Sequence, residues 1–233
     1  MVTVKNKVLR NLISFKLSKE DMPITEEEAS MIKDIVLDNY EIEDSFELLD
    51  LRELEFFPNL ETLTLIHFDF DNEDIQILGK LKNLKDITFE ACTFQNPVLI
   101  ASLKVESLSL LKNEINDYSF VYIMDTLKEL RINKGLIDLQ KCNFLTRLES
   151  LNGSYSTIEG NPSNMKFPFL KSLSIDHTNL LDLSFVLNIP HLKELSISDE
   201  QFKKNESIIP LLKEKNITIL EDGIEEFVEE GVE

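Results

Sequence analysis

The sequence predicts an α/β solenoid: a right-handed superhelix with about ten parallel concave strands and short helices or 3₁₀ turns on the convex side. Three observations carry this. The phrase apolar-x-x-apolar-x-apolar recurs down the chain, plainest at Val105, Leu108 and Leu110, at Leu170, Leu173 and Ile175, and at Leu192, Leu195 and Ile197. Its copies are evenly spaced. The segments between them are short and share a capping vocabulary of their own.

Indexed by first apolar residue, the copies start at Leu12, Ile32, Leu60, Leu84, Val105, Leu127, Leu148, Leu170 and Leu192, so successive spacings are 20, 28, 24, 21, 22, 21, 22 and 22. A tenth, degenerate copy keeps Ile217 and Ile219. The short core of each copy alternates apolar and polar with period 2, which is strand periodicity. Each strand is followed by a return segment of similar length, so the strands stack in parallel. One copy cannot bury its apolar side alone, and stacking its neighbours does so.

The return segments begin with a cap. Asp44-Ser45-Phe46, Asp117-Tyr118-Ser119-Phe120 and Asp182-Leu183-Ser184-Phe185 each place an Asp or Ser ahead of a core-filling Phe. Asn72-Glu73-Asp74 opens another turn in the same way, and the long spacing after Ile32 leaves room for a helix from Ser45 to Phe57. Pro97, Pro162, Pro168 and Pro190 restrict the other returns to single turns or 3₁₀ pieces. A solenoid has two open ends that need covers. Thr25-Glu26-Glu27-Glu28 reads as a capping box starting a short helix near one end. Ser207 to Lys215 reads as a last helix, followed by a strand from Asn216 to Leu220. The tail EDGIEEFVEEGVE holds seven acids and no base, with Ile224, Phe227 and Val228 at helical spacing; an amphipathic flap over the last repeat and a frayed end are both open.

Three residues after the last apolar residue of each core, the chain must satisfy backbone groups exposed where it leaves the strand, and a side-chain amide does this well. That column reads Glu20, Tyr40, Phe68, Cys92, Asn113, Gly135, Ser156, Thr178 and Glu200. Asn113 fits outright, and Cys92, Ser156 and Thr178 are partial substitutes. Phe68 and Tyr40 are not, so the first copies are irregular.

The organisation expected is a single domain over residues 1–233: a cap and first irregular repeat over 1–31, repeats over 32–202, and a cap with acidic tail over 203–233. The formal charge of −19 disfavours nucleic acid and anionic membrane as partners, since both are polyanions, and favours a basic partner or simply high solubility. No run of about 18 apolar residues occurs that would span a membrane. The opening MVTVKNKVLRNLISF has no uninterrupted apolar core and no small-residue cleavage site, so a secretory leader is not expected. Two cysteines far apart in sequence, Cys92 and Cys142, form neither a disulfide framework nor a metal-knuckle spacing, and a reducing, cytoplasmic setting fits.

On the pattern Leu-x-x-Leu-x-Leu-x-x-Asn-x-Leu, carried from Leu12 to Leu220, the chain resembles the leucine-rich repeat family. Its 22-residue period looks most like the class seen in bacterial internalins and in a eukaryotic phosphatase regulatory subunit. The resemblance implies a curved solenoid whose concave parallel sheet binds another protein. The chain departs from internalins in keeping only one residue of the asparagine ladder.

The register lets the concave face be written down. Between the second and third apolar residues run Lys16, Val36, Thr64, Thr88, Ser109, Arg131, Asn152, Ser174, Ser196 and Thr218. Small hydroxyls there leave room for a partner, although Thr and Ser also simply suit a soluble strand. Asp34, Asp38, Asp86 and Glu90 lie early, Lys112, Arg131 and Lys134 in the middle, and Asp176, Glu194 and Asp199 late, a basic strip between acidic flanks. Lys112, Lys134, Tyr155 and His177 occupy one column on four consecutive rungs about 4.8 Å apart. The candidate contact centre is therefore Lys112, Arg131, Asn133, Lys134, Asn152, Tyr155, Asp176 and His177, with Tyr155 as the aromatic anchor that interfaces favour. The expected partner is a protein, and the chain is expected to be a monomer.

Chemistry is a weaker reading. Asp176 and His177 with Ser154, Ser174 or Ser198 suggest a catalytic triad, but the site would lie on an open sheet without a nucleophile elbow. His67 and His177 lie five rungs, about 24 Å, apart, too far to share an ion. Asp69, Asp71 and Asp74 lack the Gly and terminal Glu of a hand-type calcium loop, and a capped helix start explains them. Cys92 faces the core as packing, and Cys142 falls in a return segment. No cofactor, no metal and no catalysis are expected. The functions expected are a scaffold that binds protein across its concave sheet or, as the alternative, an acidic inhibitor or immunity-type protein masking a basic enzyme.

Overall fold

The structure is a computed structural model that describes residues 1–19, 23–40 and 50–221. The chain divides into two compact units, Met1–Arg131 and Ile132–Glu233.

The first unit opens with helices α1 (Lys7–Leu17) and α2 (Glu26–Ser30) and continues through strands β1 (Asp34–Asp38), β2 (Thr62–Ile66) and β3 (Asp69–Phe70), helix α3 (Asn72–Leu78), and strands β4 (Asp86–Glu90), β5 (Thr93–Phe94) and β6 (Ser107–Leu111). Single 3₁₀ turns cover Leu51–Phe56, Pro97–Ser102 and Ser119–Ile123. Strand β7 (Glu129–Asn133) leads into the second unit, which holds β8 (Leu136–Asp138), β9 (Ser150–Asn152), β10 (Thr157–Glu159), β11 (Ser172–Ser174), β12 (Glu194–Ile197), helices α4 (Asp199–Lys204) and α5 (Ile209–Glu214), and β13 (Thr218–Glu221), with 3₁₀ turns at Lys141–Phe144, Pro162–Asn164 and Ser184–Asn188.

Nine of these strands form one sheet in the order β1-β2-β4-β6-β7-β9-β11-β12-β13, and two-stranded ribbons pair β3 with β5 and β8 with β10. The register is parallel and follows the repeat: Leu63 faces Ile87, Ile87 faces Leu108, and Leu151 and Leu195 each face Leu173. Side chains alternate as the period-2 pattern demands, so β2 reads exposed, buried, intermediate, buried, intermediate. Leu108 and Leu173 are fully buried, as are Leu63, Leu65, Ile87 and Phe89. Each such side chain contributes about 1.5–3 kcal/mol by leaving water.

The returns behave as their caps dictate. Asp117 Oδ1 accepts from Ser119 N–H at 2.8 Å and Asp182 Oδ1 from Ser184 N–H at 2.9 Å, and Phe120 and Phe185 are buried behind them. The Thr25–Glu28 capping box is closed in both directions. Asp71 Oδ1 accepts from Glu73 and Asp74 N–H and so caps α3, while Asp69 accepts from the Thr93 hydroxyl. The acidic trio is therefore structural, set at a helix start.

Four expectations are corrected. The copy at Leu12 is not a strand: Leu9 and Ile13 sit one helical turn apart and are both fully buried, Asn6 caps the first turn, and Ser18 ends it in the left-handed region, so helical amphipathicity wins and Lys16 lies in α1. The main sheet accordingly has nine strands among the described residues. The tenth copy is shifted by two residues, because β13 pairs Ile219 with Leu195 and Leu220 with Ser196, which moves Thr218 to the edge opposite Glu194. Within the predicted helix Ser45 to Phe57, the described part is a 3₁₀ turn, Leu51–Phe56, capped by Asp50. The Asp44-Ser45-Phe46 cap, Glu20 and the folding of the tail from Asp222 onward lie outside the described residues.

Candidate functional site

The exit of each strand is built the same way. His67, Ala91, Lys112, Lys134, Tyr155 and His177 stand at one repeat position, and all six hold the left-handed backbone with φ between 50° and 60°. There the chain turns out of the sheet. His67 N–H donates to Glu90 O at 3.0 Å, Ala91 N–H to Leu111 O at 2.8 Å and Tyr155 N–H to Asp176 O at 3.0 Å, so the parallel ladder runs one residue beyond each strand. Glycine or asparagine occupies such a backbone at least cost. None of the six is either, and Lys112, Lys134, Tyr155 and His177 are on the solvent side of the bend.

Below this bend, side-chain donors hold four of the turns to the rung before. Cys92 Sγ donates to Leu65 O at 3.3 Å and Asn113 Nδ2 to Phe89 O at 2.9 Å; in the second unit Ser156 Oγ donates to Ile132 O at 2.9 Å and Gln201 Nε2 to Ile175 O at 2.9 Å. Each acceptor is the third apolar residue of the preceding core. Asn113 also accepts from Cys92 N–H at 2.8 Å. One geometric role is thus filled by four residue types, and one predicted substitute, Thr178, misses it. Thr178 Oγ1 turns to Ile175 O of its own rung. Glu200 yields the place to Gln201, because α4 starts at Asp199 and rotates the next side chain inward, where it also reaches Leu180 O.

Of the predicted contact residues, Tyr155 and His177 come together as a stack with ring centroids 4.6 Å apart and planes 14° from parallel. Tyr155 remains 54 % exposed. Asn152 Oδ1 accepts from Ser154 N–H at 3.1 Å, and Asn133 Nδ2 donates to Ser154 O at 3.4 Å, so both amides brace the turn beside the stack. Lys134 is exposed. In the first unit Lys112 pairs with Glu90 at 2.9 Å, and Arg131 is half-buried near Asp86, whose carboxyl burial pushes up while the Ser107 hydroxyl and the guanidinium pull it down.

Asp176 departs from expectation. It is buried, and its Oδ1 accepts from Ser154 Oγ at 2.5 Å and Ser196 Oγ at 3.2 Å. Asp176 thus bonds to Ser154 and Ser196, while the His177 ring stacks on Tyr155.

Two features escaped the sequence reading. The first unit carries a second stack, Tyr40 on His67 with centroids 4.0 Å apart, and His67 Nδ1 lies 3.0 Å from Asp38 Oδ1. Tyr40 was legible only as a misfit in the asparagine column. The other lies at the entry edge of the strands. The residue following each first apolar residue reads Lys33, Glu61, Lys85, Glu106, Lys128, Glu149, Lys171 and Lys193. Its alternating signs make ion pairs: Lys33–Glu61, Lys85–Glu61 and Lys128–Glu106 in the first unit and Lys171–Glu149 in the second. Glu61 is held below the usual carboxylate range by Lys85 and then Lys33. Column charge, read down the repeats, was the available signal.

Cys92 and Cys142 are free and buried, and burial pushes their thiols up to about 11 and about 12. No helix among the described residues is long and apolar enough to cross a membrane.

No family model and no curated protein matches this chain. Solved structures do. Internalin C2 of Listeria monocytogenes superposes with a TM-score of 0.64 at 19% identity over 93% of this chain and 93% of that one. An internalin F of the same species gives 0.62 at 20% identity over 92% of this chain and 68% of that one. A leucine-rich repeat protein of Leptospira interrogans gives 0.56 at 15% identity over 84% of this chain, which spans only 56% of its length. At these identities the likeness is one of fold.

Proposed function

Starting from its leucine-rich repeat fold, we propose that this chain is a non-catalytic protein-interaction module whose partner sits on the exposed strand-exit column of the second unit, with Tyr155 and His177 at its centre. One observation supports this most. Six consecutive repeats place side chains other than Gly or Asn in a left-handed backbone, and among those displayed outward are Lys112, Lys134, Tyr155 and His177. Such a conformation costs each residue on the order of 1 kcal/mol, and backbone strain of this kind gathers at binding sites. A half-exposed tyrosine already fixed by a stacked neighbour binds without losing much rotamer freedom. Asn133, Asn152 and Lys134 of the same unit supply polar groups for contact.

The formal charge of −19 favours a second, narrower reading: an acidic inhibitor that masks a basic enzyme. Capture from native lysate on immobilised chain, compared with Tyr155→Ala, His177→Ala and Lys134→Glu, tests the first reading. The bound species should be lost from the variants at unchanged fold; retention of every species by all three would overturn the site. Association with the captured partner should slow at least tenfold between about 20 mM and about 300 mM salt if the second reading holds.

A further inference from the structure

We propose that the basic groove at the entry edge of the last strands is the docking site for the chain's own acidic C-terminal segment, residues 222–233. This lies at the opposite end of the strands from the Tyr155 column and does not depend on it. The groove is open, about 900 Å³ in volume, and is lined among others by Phe169, Lys171, His191, Lys193, Glu194 and Lys215. It is formed where the alternating charge column breaks. Lys171 follows Glu149 and pairs with it, but the next rung brings Lys193 where alternation calls for an acid, and Lys215 follows from the end of α5. Among the described residues Lys193 and Lys215 make no ion pair. Of the three lysines lining the groove, Lys171 is paired with Glu149, which leaves Lys193 and Lys215 beside one lining carboxylate, Glu194, in a chain with 43 acids and 24 lysines and arginines. Beside them Phe169 is 55 % exposed.

The segment after Glu221 is complementary on both counts. Its twelve residues carry Asp222, Glu225, Glu226, Glu229, Glu230 and Glu233, no base, and Ile224, Phe227 and Val228 as apolar anchors. It leaves from the far end of β13, whose first residue, Thr218, lines the groove. A four-residue strand is about 13 Å long, whereas twelve extended residues reach about 40 Å, so the segment can fold back along the strand and set Phe227 against Phe169. A separate acidic protein would approach against the field of a chain carrying −19. A tethered segment is presented at millimolar effective concentration.

The chain contains no tryptophan, so Phe227→Trp in the full-length protein gives a single reporter. Its emission should be blue-shifted, and its acrylamide quenching constant at least threefold lower than in a synthetic peptide covering 221–233 with the same substitution. Added to that reporter, Lys193→Glu with Lys215→Glu should raise quenching to the peptide value without changing the circular dichroism, and about 0.5 M salt should raise it partway. Peptide-like quenching in the unmodified groove would overturn the proposal. So would protection that survives both lysine reversals, which would place the segment elsewhere. Protection that grows with protein concentration would overturn it in favour of docking on a second copy.

Discussion

Tyr155 and His177 lie ring on ring, centroids 4.6 Å apart and 14° from parallel, although both residues hold a left-handed backbone at φ 60° and 54°. Each strained residue is the other's packing partner. A double-mutant cycle through Tyr155→Ala and His177→Ala should therefore return a coupling of about 0.5–1.5 kcal/mol in urea unfolding. A coupling indistinguishable from zero would mean that the rings only happen to be parallel.

The same backbone argument gives a prediction of opposite sign. Lys134 is exposed at φ 58°. Lys134→Gly should raise stability by roughly 0.5 kcal/mol or leave it unchanged, because the relief of a left-handed lysine offsets the entropy of an added glycine. Lys128→Gly, in the extended entry column and paired with Glu106, should lower it. Chemical unfolding of the two variants side by side checks the contrast.

Gln201 Nε2 donates its two hydrogens to Ile175 O at 2.9 Å and Leu180 O at 2.8 Å, with Thr178 Oγ1 a further 3.2 Å contact. Gln201→Ala removes one of two donors from Ile175 O and the donor to half-buried Leu180 O and should cost about 1–3 kcal/mol, while Asn113→Ala, which strands buried Phe89 O and Cys92 N–H, should cost about 2–3 kcal/mol. Gln201→Glu, which keeps the volume but not the donors, should be no better than alanine at neutral pH. Equilibrium unfolding midpoints with unchanged m-values are the readout.

Gly153 stands where the repeat calls for its third large apolar residue, and a Cβ there would lie 2.7 Å from Ile137 Cδ1. Ile137 of β8 fills that volume instead. Gly153→Ala should cost about 1–3 kcal/mol, and Ile137→Val in the same chain should recover part of it. If the second change deepens the loss, the clash is not the cause.

Burial holds the Cys92 and Cys142 thiols at about 11 and about 12, against about 9 in the unfolded chain. At about pH 8 both should react with a thiol reagent far more slowly than in urea. The folded state keeps its thiol protons while the unfolded state begins to lose them near pH 9. Stability should thus fall as pH rises above about 9, by roughly 1.4 kcal/mol per thiol per pH unit until the folded value is reached. Cys142→Ala, less stable at neutral pH, should show a shallower decline.

Much of the fold was legible because parallel stacking repeats one local problem. Ile87 faces Leu108 and Leu173 faces Leu195, each at the same repeat position one rung away, so a period in sequence becomes a contact in space. Legibility failed where the period met an end. The Leu12 copy satisfies the repeat spelling, yet with no described strand preceding it, Leu9 and Ile13 bury more as a helix. Ile217 and Ile219 also satisfied it, but the turn after α5 placed Ile219 against Leu195 and moved the register by two. In the candidate site the column of Tyr155 and His177 followed from spacing, whereas the burial of Asp176 did not.

By itself the sequence determined the strands of the repeats from Ile32 to Leu192, which of their residues alternate inward, and that they stack in parallel, because these follow from period and cap chemistry between near neighbours. Only the tertiary structure decided which side chain occupies each recurring place. Gln201 rather than Glu200 became the donor, Ile137 filled the space over Gly153, Asp176 turned under its own strand exit, and Lys193 came to line a groove. Those outcomes depend on the φ of a bend and the start of a helix, and one residue of rotation there exchanges an exposed group for a buried one.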